Sequence, residues 1–173
     1  SFTFGGLDAA ARRVGGRLQA YVGRGERAIL LYPQGLDYVS AFFGCLYAGV
    51  VAVPAYPPDM ARREQMLRRL QAITRDAGAA AVLTLQSVVD AAAGLTRDVP
   101  GLSGLHWIAT DTLDAACADD WRPVRVAPGD LAFLQYTSGS TTAPKGVRLS
   151  HANLVHNVGL MRRLHGLGRD GRV

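Results

Sequence analysis

The chain has 173 residues, enough to bury one sizeable core, and at 49% hydrophobic and 19% charged it reads as globular, not disordered. Its net charge of +5 invites nucleic acid as a partner, but no basic run exceeds two residues and no aromatics interleave with the arginines, so no nucleic-acid binding is expected. Cys45 and Cys117 lie far apart in no metal-ligand spacing; with no signal peptide and no apolar run of about 18 residues, a cytoplasmic protein without a metal site or a membrane span is expected.

Leu7–Val22 reads as a helix, because Leu7, Ala11, Val14, Leu18 and Val22 recur at helical spacing while Arg12, Arg13 and Arg17 fall off that stripe. The run Gly23 to Ala28 has the G-x-G-x-x-A composition of a dinucleotide loop. It precedes a strand instead of following one, so its context is wrong. Ala28–Tyr32 is a short buried strand closed by Pro33 and Gly35. Leu36–Tyr47 is an apolar helix whose Ala41, Gly44 and Cys45, with Ala48 beyond, suit close packing, and Cys45 is read as a core residue. Val50–Val53 is the next strand, ended by Pro54. Strand, helix, strand predicts a parallel pair with a right-handed crossover.

Asp59 is expected to cap a helix over Met60–Ala77. Met66, Leu70, Ile73 and Ala77 form its inner stripe, and Arg62, Arg63, Arg68, Arg69 and Arg75 a solvated face. Ala80–Thr84 is a third strand, Ser87–Ala93 a short helix, and Leu105–Ala109 a further strand in which His106 is structural. Arg122–Asp130, with Pro123, Pro128 and Gly129, leads into the strand Leu131–Tyr136. Strands alternating with helices predict an α/β fold with a mostly parallel sheet and flanking helices.

The segment after that last strand carries the chemistry. Of 19 basic residues only Lys145 is a lysine. An ammonium is a compact point charge on a flexible stem, suited to a phosphate held by a loop, whereas guanidinium is a planar fork. Around it stand Thr137, Ser138, Ser140, Thr141 and Thr142, with Gly139 and Gly146 permitting close backbone approach. Ser150 is expected to cap a helix beginning at His151, so the reading is strand, glycine–hydroxyl loop, helix, the usual setting for phosphate binding. A Walker A loop is excluded. Counting from Gly139, its second glycine position holds Pro144, and Gly146 follows the lysine.

The run Tyr136 to Gly146 resembles the phosphate loop of adenylate-forming enzymes, Y-T-S-G-[ST]-T-G-x-P-K-G. Ten of its eleven positions fit, and the departure is Thr142, where glycine is usual. Ala52–Pro58 and Phe133–Thr141 are similar to the fatty acyl-AMP ligase branch of that superfamily, and the resemblance runs across nearly the whole chain. It implies the N-terminal subdomain of an adenylate-forming enzyme, cut just after the phosphate loop at 136–147 and its following helix. The implied reaction is activation of a long-chain fatty acid with ATP and Mg²⁺ to an acyl-adenylate and pyrophosphate, for transfer to an acyl carrier protein or carrier domain. Lys145 would then be catalytic, and Thr137, Ser138, Gly139, Ser140, Thr141, Lys145 and Gly146 would hold the phosphates. His151, at the first turn of that helix, has a place near the phosphates as its second reading, while His156 and His165 are read as surface residues. The arginine face over 62–75 has a carrier-protein or pantetheine contact as its second reading. Two alternatives stand beside the ligase: an acyl-CoA synthetase or peptide synthetase adenylation domain, and a non-catalytic interaction domain on the same fold.

Overall fold

Thr3 opens the first helix. Its hydroxyl accepts the Gly6 N–H at 3.0 Å, and α1 runs over Phe4–Gln19. The apolar stripe put the start at Leu7, because a stripe marks where a helix packs and not where its cap lies. The stripe itself holds: Ala11, Val14, Leu18 and Val22 are buried, Val22 in the turn beyond the helix.

The computed structural model describes residues 3–55, 63–92, 101–137 and 144–164. In chain order α1 is followed by β1 (Arg27–Leu31), α2 (Leu36–Ala48), β2 (Val51–Ala55), α3 (Arg63–Ala77), β3 (Ala79–Thr84), α4 (Gln86–Ala92) and β4 (His106–Ala109). A 3-10 turn (Ala115–Ala118), β5 (Leu131–Thr137), β6 (Lys145–Ser150) and α5 (His151–Leu164) complete them. The sheet has the order β4-β3-β1-β2-β5-β6. Every pairing is parallel except β5 with β6. The expected parallel pair β1–β2 is present, with Ala28 opposite Ala52 and Ile29 opposite Val53.

Three boundaries depart from the sequence reading. Pro54 does not end β2, which continues to Ala55 with Leu30 opposite Pro54. Among the described residues the register with β5 is carried by Ala52↔Phe133 alone, so the strand has already loosened on that side where the proline stands. Helix α4 begins at Gln86, whose N–H is received by the carboxylate of Asp111 at 2.8 Å, a cap from a residue too distant in sequence to be seen locally. The 3-10 turn, capped by Asp114 Oδ1 on Ala116 N–H, was not foreseen. The expected cap at Asp59, Arg62 and the far end of the short helix at Ala93 lie outside the described residues, as do the side chains of Arg63 and Met66.

Strand parity divides the core in two. Ala28 and Leu30 of β1 pack with Val14, Leu18, Ala41 and Cys45 on the α1/α2 side. Ile29 and Leu31 pack with Leu70, Ile73 and Ala77 of α3 on the other. Burial pushes the Cys45 thiol up, so it stays a neutral core group. On the α1/α2 side, the segment 117–121 is laid directly on α1 at Gly16. A Cβ there would overlap the Cys117 carbonyl oxygen and lie 3.1 Å from Trp121 N. Trp121 donates its indole N–H to the Tyr47 carbonyl at 3.0 Å and receives the Arg12 guanidinium over its ring at 4.7 Å.

The connector into β5 closes on Asp130. Its Oδ2 accepts the Ala127 N–H at 2.9 Å and Arg24 Nη2 at 2.8 Å, and its carbonyl accepts the His151 N–H at 3.0 Å. The Ala127 N–H, then the Arg24 guanidinium, hold this carboxyl below its usual range. A depressed folded pKa adds stability above the ordinary carboxylate pKa of about 3.9 and loses it as pH falls through the folded value. Asp130→Asn is therefore expected to lower the thermal midpoint modestly at pH 7. The gap to the parent should close below about pH 4, in a melting series against pH.

Candidate phosphate-binding hairpin

The loop's two ends are pinned to each other. Expected to lead into a helix, the segment after the loop instead returns as β6, antiparallel to β5, with Gln135 opposite Val147, Tyr136 opposite Gly146 and Thr137 opposite Lys145. Directly opposed residues project to the same face, their Cβ atoms about 5 Å apart. Thr137 and Lys145 thus stand side by side at the mouth, both exposed, above Gln135 and Val147. Among the described residues Lys145 makes no ion pair, so its charge is uncommitted. Ser138, Gly139, Ser140, Thr141 and Thr142 lie outside the described residues.

The expected helix start is correct but misplaced relative to the loop. Ser150 Oγ accepts the Asn153 N–H at 3.2 Å and Asn153 Oδ1 accepts the Ser150 N–H at 2.9 Å, a reciprocal cap on α5. Six residue steps of extended chain run from Lys145 to His151, so that helix terminus lies roughly 20 Å from the mouth. His151 therefore stands well away from the mouth formed by Thr137 and Lys145. His156 is exposed, as expected, and His165 lies outside the described residues. The ring centroid of the exposed His106 lies 5.3 Å from that of Tyr21.

The opposite face of the stem is built around Tyr136. Its ring is buried in the α3-side core, and its hydroxyl donates to Asp76 Oδ2 near the end of α3. Burial, then the Asp76 carboxylate, push the phenol well above its usual range, so it remains a donor. Gly146 lies against this ring: a Cβ at 146 would fall 3.0 Å from Tyr136 Cζ and 3.2 Å from its hydroxyl oxygen. The loop pattern identifies Gly146 but not this reason for it. Asp76 carries no signal in the sequence at all.

An AMP-binding enzyme family model matches residues 1–173. The chain belongs to the AMP-binding enzyme family. Within that family it is 43% identical over 171 residues to the medium-chain-fatty-acid–[acyl-carrier-protein] ligase JamA of Moorena producens, covering 98% of this chain and 29% of JamA. It is 37% identical over 157 residues to the long-chain-fatty-acid–AMP ligase FadD32 of Mycolicibacterium smegmatis, covering 90% of this chain and 24% of that one. The fold superposes on the crystal structure of a fatty acyl-adenylate ligase from L. pneumophila in complex with acyl adenylate and pyrophosphate. The TM-score is 0.83 at 35% identity, over 96% of this chain and 28% of the other. The chain thus spans less than a third of the length of these AMP-binding relatives. Among the described residues no helix is long and apolar enough to cross a membrane.

Proposed function

We propose that this chain is the N-terminal part of a fatty acyl-AMP ligase, extending just past the phosphate loop at 136–147 and the helix after it. The protein activates a fatty acid: a carboxylate oxygen attacks the α-phosphorus of ATP, the bond to the bridging oxygen breaks, and pyrophosphate leaves. An anion attacks a polyanion, so the barrier is largely electrostatic. The observation that carries this reading is the pairing of Thr137 with Lys145 on one face at the hairpin mouth, in a chain of this family. Lys145 neutralises charge growing on the departing pyrophosphate. Thr137, Ser138, Ser140 and Thr141 donate hydrogen bonds to the β and γ phosphates, Gly139 belongs to the same phosphate-binding set, and Gly146 lets the stem close over Tyr136.

Mg²⁺ accompanies ATP in this reading. Among the described residues there is no group of three or more His, Cys, Asp or Glu able to hold a metal ion. No step is assigned to the ion. The likeness to JamA supports an acyl carrier protein or carrier domain as acceptor, ahead of CoA. Pyrophosphate release by the full-length protein, measured over a panel of fatty acids with and without CoA or carrier protein, tests the reading. No release with any fatty acid sinks it, and thioester formation on CoA replaces the ligase by a synthetase.

Two further outcomes are expected. The 173-residue chain alone releases no pyrophosphate with fatty acid and ATP, because a chain spanning 29% of JamA carries only part of such an active site. Thr142→Gly in the full-length protein matches or exceeds the parent turnover, since glycine restores backbone freedom while four neighbouring hydroxyls remain. A raised KM for ATP in that variant would instead give the Thr142 hydroxyl a phosphate of its own.

A further inference from the structure

We propose that Tyr136 and Asp76 are a positioning pair that holds the mouth of the phosphate-binding hairpin against helix α3. The inference rests on reading the β5–β6 hairpin as a clamp on ATP phosphates. Tyr136 immediately precedes Thr137 on β5, and its partner across the stem, Gly146, immediately follows Lys145. Its side chain therefore lies on the reverse of the stem, just behind the pair that faces the phosphates. The ring is 4% exposed, so packing alone would be served by phenylalanine. Tyrosine adds a hydroxyl that finds Asp76, 60 residues away in sequence.

The stem needs such a fixture. β6 is the edge strand, joined to the sheet through β5 alone, and its Lys145, Val147 and Arg148 are exposed. β5 in turn is matched to β2, among the described residues, by the single register pair Ala52↔Phe133, well below the mouth. Above that level, among the described residues, no β2–β5 register pair fixes the hairpin's height. Two contacts of Tyr136 take over: the ring against Gly146, and the hydroxyl on the carboxylate of α3. Hydrogen bonds to a carboxylate are the stronger kind, and one made from a buried ring holds direction as well as distance. α3 is itself anchored on the sheet by Leu70, Ile73 and Ala77, so the tether ends on a fixed element.

The test uses the full-length protein and four variants: Tyr136→Phe, Asp76→Ala, their combination, and Asp76→Asn. Affinity for ATP with Mg²⁺ is read by calorimetry, kcat and fatty-acid KM by pyrophosphate release, and stability by melting. Tyr136→Phe and Asp76→Ala are each expected to weaken ATP binding and lower kcat by about 5-fold, with fatty-acid KM unchanged. The double variant is no worse than either single one, because both remove the same bond. Asp76→Asn keeps an oxygen acceptor and stays near the parent. Parent-like ATP affinity and kcat in Tyr136→Phe overturn the proposal, even if the melting point falls. So do defects that multiply in the double variant. A parent protein that binds ATP yet releases no pyrophosphate with any fatty acid sinks the ligase reading, while the ATP affinities still decide the pair. A parent protein with no affinity for ATP overturns both.

Discussion

Lys145→Ala in the full-length protein is expected to cut the rate of pyrophosphate release by about 10-fold or more while leaving the KM for fatty acid near its parent value. The ammonium stands at the hairpin mouth opposite Thr137, exposed and, among the described residues, without an ion-pair partner. Its charge interacts most strongly with the state in which the pyrophosphate bears the most negative charge. That state is the transition state, so the loss appears in turnover and not in acid binding. Lys145→Arg should recover only part of it, because a planar fork does not occupy the position of a compact ammonium. Burst measurement of acyl-adenylate checks both variants, and a parent-like rate in Lys145→Ala removes the residue from the mechanism.

Gly16→Ala is expected to be the most destabilising single methyl in the α1/α2 layer. The added carbon would overlap the Cys117 carbonyl oxygen and approach Trp121 N at 3.1 Å, and both are backbone atoms that cannot rotate away. Overpacking of this kind costs about 1–3 kcal/mol or more, which exceeds the gain of roughly 0.5–1 kcal/mol from replacing a helical glycine. The segment 117–121 must lift off α1, and with it the Trp121 indole that bonds the Tyr47 carbonyl. Gly5 is the internal control. Nothing lies within 4 Å of a Cβ there, so Gly5→Ala should raise the melting temperature slightly while Gly16→Ala lowers it by several degrees. Equal melting temperatures for the two variants would show that the 3-10 turn is not packed on α1 as described.

The two layers differ in how well the sequence announces them. β1 and β2 are legible as short apolar runs, and β1–α2–β2 as a crossover, because burial on both faces leaves little polar alternation to confuse the pattern. Leu70, Ile73 and Ala77 are correctly placed inward for the complementary reason, a helix with one apolar stripe. β6 is missed because Lys145–Ser150 is an exposed edge strand with little hydrophobic signal, and because Ser150 announces a helix so clearly that the residues before it read as loop. That one omission set the helix directly after the loop. Thr137, Lys145 and Gly146 are legible from the spacing of the loop. Asp76 is not, since its role comes from a contact made across 60 residues.

β6 also behaves as a ruler. Its lower end is nailed down where the His151 N–H meets the Asp130 carbonyl, and its upper end carries Lys145. Strand side chains alternate, so the lysine's side of the sheet is set by whether the count of residues between those two points is odd or even. Losing one residue from 147–150 would turn the ammonium toward the α3 side, and losing two would restore its side but lower it by about 7 Å. The length of this strand is thus a chemical quantity, although none of residues 147–150 need ever touch a phosphate.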